Sequence, residues 1–159
     1  MFCMFKRPQK GMNRKNVYEQ LKYDEGVKYE VYLDHLGYPT FGVGHLIKES
    51  DPEHGSPNGT KVSEQRVAEV FECDLDIGIS ECFVLYGEST FNNFPGEVQE
   101  ILVNMMFNMG RTRLSKFKKM NMHIHNSNWK MAAVEGRDSR WYKQVTNRAE
   151  RLMSRMENV

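Results

Sequence analysis

Two carboxylates and a hydroxyl lie in a short segment in the first third of the chain, and their spacing suits hydrolytic chemistry. Eight residues separate Glu25 from Asp34, and Thr40 follows after five more. Apolar and polar residues alternate over positions 27–33, which is the pattern of a strand, and Gly37 allows the chain to turn back. A chain that leaves a helix, follows this strand and turns can bring Glu25 and Asp34 face to face. Such a pair is the minimum equipment for acid/base hydrolysis of an acetal.

The elements that must position these side chains follow from periodicity and capping residues. A first helix is predicted to begin near Asn16 and to end at Gly26, a common helix-ending residue. A small antiparallel sheet is predicted over positions 27–47, and Ser63 is a good N-cap for a long helix that continues to about Leu85. The remainder is helical, with predicted helices at residues 95–110, 114–125, 129–136 and 147–156. The predicted fold class is α+β, with a small sheet lobe joined by a long helix to a larger helical lobe.

The predicted domain organisation is an extension followed by a single domain. Residues 1–15 are polar and basic, so we expect a flexible N-terminal extension. Residues 16–159 are predicted to form one domain, which is an ordinary length for a single core. Within it, the sheet lobe covers about residues 27–62, and the helical lobe comprises residues 16–26 and 63–159.

Composition places the chain among ordinary globular proteins, with 40% apolar and 27% charged residues. No apolar run approaches the ~20 residues that a membrane span needs, so we expect no stable membrane insertion. The apolar start of the chain is too short for a secretory signal. The sequence therefore predicts synthesis in the cytoplasm without a signal peptide.

The three cysteines, Cys3, Cys73 and Cys82, have no metal or redox spacing. Cys73 and Cys82 fall on opposite sides of a predicted helix at about 100° per residue, so they should not bond to each other. We expect buried or idle thiols.

Charge is unevenly distributed although the net charge is only +1. Residues 24–110 hold four Lys and Arg against sixteen Asp and Glu, whereas residues 111–159 hold twelve against four. A basic C-terminal third could face a polyanion such as nucleic acid or a bacterial wall. Solvated helix faces that balance an acidic half are the alternative, and no nucleic-acid-binding motif accompanies the charge.

The segment around the two carboxylates resembles the active-site region of the phage-type lysozymes, glycoside hydrolase family 24. The matching positions are Asp24, Glu25, Gly26, Tyr32, Asp34, Gly37, Tyr38, Thr40, Gly42, Gly44, His45 and Leu46. Downstream matches resemble the central buried helix and the C-terminal signature of that family, at Asn104, Met105, Phe107, Met109, Gly110, Ser139, Arg140, Trp141, Tyr142, Asn147, Arg148 and Ala149. The sequence departs from the family at Pro39 and Asn108, and in a shorter loop after His45.

The resemblance implies a reaction and three catalytic residues. Glu25 resembles the general acid that protonates the glycosidic oxygen, Asp34 the second carboxylate, and Thr40 the hydroxyl that holds a water beneath the sugar. It implies hydrolysis of the β-1,4 bond between N-acetylmuramic acid and N-acetylglucosamine in peptidoglycan glycan strands, with inversion. Two carboxylates alone do not choose between inversion and retention. Thr40 on its own is equally well explained as a strand residue with a branched β-carbon.

The resemblance also implies a supporting set of residues. The expected substrate-binding residues are Leu46, Phe107 and Asn108, although core packing explains Phe107 almost as well. His45 is expected to pair with Asp74, so its folded pKa should lie above its unfolded value. Arg148 is expected beside the general acid, paired with Asp24. The resemblance implies no cofactor or metal, and it predicts a monomer that acts on the cell wall after release.

Three other functions agree with the same residues. A relative could act on chitin or by lytic transglycosylation, which leaves an anhydro sugar. A non-catalytic wall-binding protein could share the fold, although Glu25, Asp34 and Thr40 together argue against it. Nucleic-acid binding through the basic third ranks last, and our expectation is no nucleic-acid partner.

Overall fold

The protein has an α+β fold with a small sheet near its start and helices over most of the remaining chain. A computed structural model describes residues 11–159. The first part contains α1 (Arg14–Glu25), β1 (Lys28–Leu33), β2 (Pro39–Gly42), β3 (His45–Leu46) and α2 (Glu64–Tyr86). The rest contains α3 (Glu88–Asn93), α4 (Gly96–Ser115), α5 (Lys118–His125), α6 (Trp129–Arg137), α7 (Arg140–Gln144) and α8 (Thr146–Glu157). The predicted fold class is confirmed.

The described chain divides into two compact units, and the division falls within α2. The first unit contains residues 15–77, and the second contains residues 11–14 and 78–159. These units differ from the predicted lobes, because α1 and the first half of α2 belong to the same unit as the sheet. The reason is packing: Tyr18 of α1 lies against Phe71 of α2, with ring centroids 4.6 Å apart.

The first unit is built around an antiparallel sheet in the order β1-β2-β3. Thr40 of β2 pairs with Tyr32 of β1 on one side and with Leu46 of β3 on the other. An irregularity between Lys28 and Tyr32 shifts the register of β1 against β2. Phe41 of β2 is completely buried, so the sheet has one face in the core of this unit.

Helix α2 begins where the capping residue predicts. The Ser63 hydroxyl accepts the backbone N–H of Arg66 at 3.0 Å, which satisfies one of the open donors of the first turn. Gly42 at the end of β2 has φ +66°, and a Cβ there would lie 3.2 Å from Val67. Glycine at this position therefore permits both the turn and the close approach of α2.

The second unit is organised around α4, which is buried on nearly all sides between Val98 and Met106. Polar residues in this stretch are satisfied internally. The Gln99 amide donates to the Phe94 carbonyl at 2.9 Å, and Asn104 accepts from Arg148 at 2.8 Å. Every residue from Val98 to Met106 is buried, which agrees with the resemblance to the central buried helix of the family.

Gly110 interrupts α4, with φ 78° and ψ 167°. This region of backbone space belongs almost only to glycine. The predicted helix end at Gly110 is therefore confirmed, but the chain then continues helically to Ser115. The sequence analysis placed Leu114 at the start of the next helix, but in the structure it belongs to the last segment of α4.

Three expectations are wrong in detail. α1 begins at Arg14, and Met12 is buried, so the described residues of the predicted extension, 11–15, are ordered parts of the fold. The expectation for residues 1–10 lies outside the described residues. Cys73 is disulfide-bonded and is not an idle thiol, whereas Cys82 is free and buried. The short helices α3 and α7 were not predicted.

No helix in residues 11–159 combines the length and the apolar character that a membrane span requires.

Candidate active site

Glu25 is the last residue of α1, and its position follows from the glycine after it. Gly26 has φ +78°, which stops the helix and turns the chain into β1. The Glu25 side chain is exposed. The carboxyl group therefore lies at the surface of the first unit, accessible to a large substrate.

Asp34 follows β1 directly and holds the turn to β2 together. One of its carboxylate oxygens, Oδ1, accepts the backbone N–H groups of Leu36 at 2.9 Å and Tyr38 at 2.8 Å. Its own backbone N–H donates to the Tyr38 carbonyl at 2.9 Å, and Gly37 donates to the Asp34 carbonyl at 2.9 Å. These bonds fix the orientation of the carboxylate and leave Oδ2 available to accept a further hydrogen.

Thr40 is joined to the same turn. It is only 2% exposed, and its hydroxyl donates to the Tyr38 carbonyl at 2.8 Å. Tyr38 thus binds Asp34 through its N–H and Thr40 through its carbonyl. Because the Thr40 proton is used in this bond, the hydroxyl oxygen can only accept a hydrogen from another molecule. Asp34 Oδ2 and Thr40 Oγ1 are therefore two acceptors whose side chains are held by the backbone of one residue, Tyr38.

Tyr32 connects the two carboxylates electrostatically. Burial raises the pKa of its phenol, and the negative charges of Asp34 and then Glu25 raise it further. Both carboxylates therefore disfavour ionisation of the same phenol. The Lys28 ammonium lies 4.2 Å from the centre of the Tyr32 ring and brings a positive charge to this side of the sheet.

Residues 22–158 of the chain match the family described as Phage lysozyme. This chain belongs to the phage lysozyme family. The Probable T4-type lysozyme 2 of Dictyostelium discoideum is 32% identical, over 87% of this chain and 92% of that protein. The Pre-baseplate central spike protein Gp5 of Enterobacteria phage T4 is 30% identical, over 84% of this chain and 26% of that protein. The Peptidoglycan hydrolase gp36 of Pseudomonas phage phiKMV is also 30% identical, over 92% of this chain and 16% of that protein.

Membership of the phage lysozyme family makes the protein a glycoside hydrolase of the lysozyme type. This agrees with the acid/base chemistry that the carboxylate pair predicts. The roles of the individual residues in this lysozyme remain predictions.

His45 is a buried residue of β3 in this lysozyme, and its ring lies between two carboxylates. Its Nδ1 is 2.8 Å from Asp74 Oδ2, which is the contact that the resemblance implied, and its Nε2 is 2.8 Å from Asp51 Oδ2. Ionised carboxylates only accept hydrogens, so both ring nitrogens donate when both aspartates are charged. Asp51 also accepts the Lys48 N–H at 2.9 Å and lies 3.6 Å from the Arg66 guanidinium. The histidine therefore belongs to a structural ion network.

The pKa values of this network move apart. Burial lowers the pKa of His45, but the carboxylates of Asp74 and Asp51 raise it more, so the net pKa lies above the ordinary value. Burial raises the pKa of Asp51, but the Lys48 N–H and the His45 side chain outweigh this effect, and the net pKa is lowered. Both shifts favour the charged forms.

The expected substrate-binding residues have distinct surroundings. Leu46 is 51% exposed at the end of β3, which is unusual for a leucine in so small a sheet and leaves it open to a ligand. Asn108 accepts the Trp141 indole N–H through its side-chain oxygen at 2.7 Å, so its amide NH₂ points elsewhere. Phe107 is half-buried, and its ring packs closely against Gly78. A Cβ added at position 78 would lie only 3.1 Å from that ring. Packing within the second unit accounts for part of the Phe107 surface.

Arg148 is 8% exposed and is held by Asn104, with Nε 2.8 Å from the side-chain oxygen and a second nitrogen 3.2 Å from the backbone carbonyl. Its side chain is therefore buried within the second unit. Its expected pairing with Asp24 remains a prediction.

Two contributors to the site were not predicted. Asp51 lies in a loop six residues after His45, and no spacing rule points from a loop aspartate to a buried histidine. Tyr32 had a detectable signal, because it lies in the predicted strand only two residues before Asp34.

Proposed function

We propose that the protein is an endolysin-type muramidase that hydrolyses the β-1,4 bond between N-acetylmuramic acid and N-acetylglucosamine in peptidoglycan. The observation that carries the proposal is the coupling of Asp34 and Thr40 through Tyr38, with Glu25 exposed at the end of the helix that precedes β1. The relative from phage phiKMV, which is named a peptidoglycan hydrolase, supports this substrate.

The proposed reaction is a single displacement with inversion. Asp34 Oδ2 and Thr40 Oγ1 each accept one hydrogen of the same water, which directs a lone pair of that water towards the anomeric carbon. Glu25 donates its proton to the glycosidic oxygen as the bond to the anomeric carbon breaks. The water oxygen bonds to that carbon from the opposite face, and Asp34 takes the proton that the water loses.

Leu46 and the Asn108 amide are proposed to contact the sugars. The exposed leucine offers an apolar surface to a sugar ring, and the oriented amide NH₂ is a donor suited to an acetamido carbonyl. Asp24 and Arg148 are proposed to pair beside Glu25, where Asp24 neutralises most of the arginine charge. The active form is proposed to be a monomer.

The first test is the substitution Glu25→Gln, which removes the proton donor and keeps the size of the side chain. We expect the lysis rate of purified peptidoglycan to fall by about 100- to 10,000-fold, the usual contribution of a general acid. The matched control is Glu49→Gln, because Glu49 is also exposed in the first unit. Near-normal lysis by a folded Glu25→Gln protein would contradict the assignment.

The stereochemistry has its own measurement. NMR of the reducing ends formed in the first minutes should show the α-anomer, since inversion converts the β-bond. Early β-anomer would show retention, and anhydro ends would show transglycosylation.

A further inference from the structure

A basic groove in the second unit has no part in the proposed catalysis. It is a cavity of about 620 Å³ bounded by the end of α4, the start of α5, the end of α6 and the start of α7. This volume is typical of sites for small ligands or for one segment of a polymer. Its cationic lining consists of Arg113, Lys116, Lys118, Lys119 and Arg140.

The groove is positive, and its cations are not neutralised by the fold. Two acids, Glu135 and Asp138, stand against the five cations in the lining. Within residues 11–159, none of the five forms an ion pair with a carboxylate, and all five side chains are exposed. Unpaired like charges around one cavity produce a strong positive potential. An anionic ligand is the natural occupant.

Two of these cations lie at a helix start, where positive charge is unfavourable. Lys118 and Lys119 occupy the first turn of α5, which contains no acid. The positive end of the helix dipole disfavours lysine in this first turn. Local rules broken without a compensating contact tend to mark functional positions. The placement of these lysines therefore points to a ligand and not to stability.

We propose that this groove binds the phosphate groups of a polyol-phosphate polymer that accompanies peptidoglycan in the bacterial wall. The proposal rests on the proposed function, since it places the enzyme at the wall. Guanidinium forks and lysine ammonium groups suit phosphate oxygens, and several cations in one cavity suit a ligand with repeated charges. The groove would hold the enzyme on the wall while the catalytic residues act on the glycan.

Nucleic acid fits the same groove less well because the two aromatic residues of its lining pack against each other. Trp141 is 3% exposed, and its indole N–H is already bound to Asn108. Phe117 packs edge-on against Trp141, with ring centroids 6.1 Å apart. Single-stranded nucleic acid is normally held by stacked aromatic platforms along a basic channel. These aromatic residues serve packing in this lysozyme.

The test compares two double variants that each remove two positive charges from the second unit. Lys118→Gln/Lys119→Gln changes the groove, whereas Lys130→Gln/Lys143→Gln changes exposed lysines outside its lining. The probe is a synthetic glycerol-phosphate oligomer, titrated calorimetrically at several salt concentrations. We expect binding to weaken about tenfold in the groove variant, with a shallower salt dependence, and to change less than about twofold in the control. Equal weakening in both variants would overturn the proposal, because net charge would then explain the binding.

The second arm uses purified walls before and after removal of their phosphate polymer with hydrofluoric acid. The groove variant should lyse intact walls more slowly than the wild type, and stripped walls at the same rate. Duplex or single-stranded DNA that binds the wild type more tightly than the oligomer, with the same loss in the groove variant, would overturn the wall proposal in favour of nucleic acid. Failure of the proposed function is separable, because Glu25→Gln should still bind the oligomer.

Discussion

At the scale of single residues, the backbone of Tyr38 holds two groups of the candidate site. The Tyr38 N–H binds the Asp34 carboxylate, and the Tyr38 carbonyl binds the Thr40 hydroxyl, each at 2.8 Å. A movement of either proposed catalytic group therefore requires the turn between β1 and β2 to move. Thr40 gains a role that its β-branched side chain could not indicate. Its proton is committed, so its oxygen is an acceptor.

Substitution of Thr40 separates this acceptor role from strand propensity. Thr40→Val keeps the β-branched shape but removes the oxygen, and we expect the rate of wall lysis to fall about a hundredfold. Thr40→Ser keeps the oxygen and should retain most of the activity. The free energy of unfolding should fall by only about 1 kcal/mol in Thr40→Val, the net value of one hydrogen bond. Normal lysis by Thr40→Val would contradict the proposed water site.

At the scale of elements, the His45 network joins the sheet to α2. His45 on β3 reaches Asp74 on α2 and Asp51 in the intervening loop, while Arg66 of α2 binds Glu53 of that loop through two nitrogens at 2.9 Å. The charges alternate in sign within the network. The network should therefore stabilise the first unit only while the histidine is protonated and the aspartates are ionised.

The substitution His45→Asn tests the network through its pH dependence. The folded pKa of His45 lies above its ordinary 6.5, so its contribution is complete below 6.5 and is lost as pH rises through the folded pKa. We expect His45→Asn to lower the free energy of unfolding by about 2 kcal/mol between pH 3.8 and 6.5, where Asp51 is also charged. The difference should shrink in alkaline solution. Urea unfolding at several pH values measures it, and a difference that does not vary with pH would contradict a charged network.

At the scale of the whole molecule, ion networks set the limits of stability on both sides of neutral pH. In the second unit, ion pairs of Arg137 limit stability at acidic pH. Arg137 binds Glu150 at 3.0 Å and Glu157 at 2.7 Å. The hydrogen bonds from Arg137 are the main cause that lowers the pKa of Glu150 to about 2. The same arginine lowers the pKa of Glu157. The contribution of Glu150 is complete above its ordinary 4.5 and is lost as pH falls towards 2.

Thermal denaturation across pH should therefore show a plateau between about 4.5 and 6.5, with a decline on each side. Arg137→Gln should lower the melting temperature most at pH values above 4.5, and its difference from the wild type should vanish towards pH 2. The control Lys143→Gln removes an exposed charge from the same unit and should not change the acid decline. A constant shift by Arg137→Gln at all pH values would show that packing, and not charge, is the cause.

The sequence was sufficient for features that depend on neighbouring residues. Gly26 ends α1 directly after Glu25, Ser63 opens α2, and Gly110 breaks the central helix, because backbone conformation and capping act over a few residues. The candidate catalytic segment could be identified for the same reason, since only five residues separate Asp34 from Thr40. Short helices escaped prediction because α3 and α7 contain fewer than two turns and show little periodicity.

Tertiary structure decided what distant segments do together. No local rule places Asp51 against His45, or Asn108 against Trp141, because those contacts depend on how whole elements pack. The sequence showed only that its last third is basic. The packing of three helices, α4, α5 and α7, and of the link between α4 and α5 brings five of these cations around one groove. The sequence by itself therefore determined the family, the fold class and the catalytic candidates, whose spacing is local. Only the packing of helices far apart in the chain determined where the remaining charges meet.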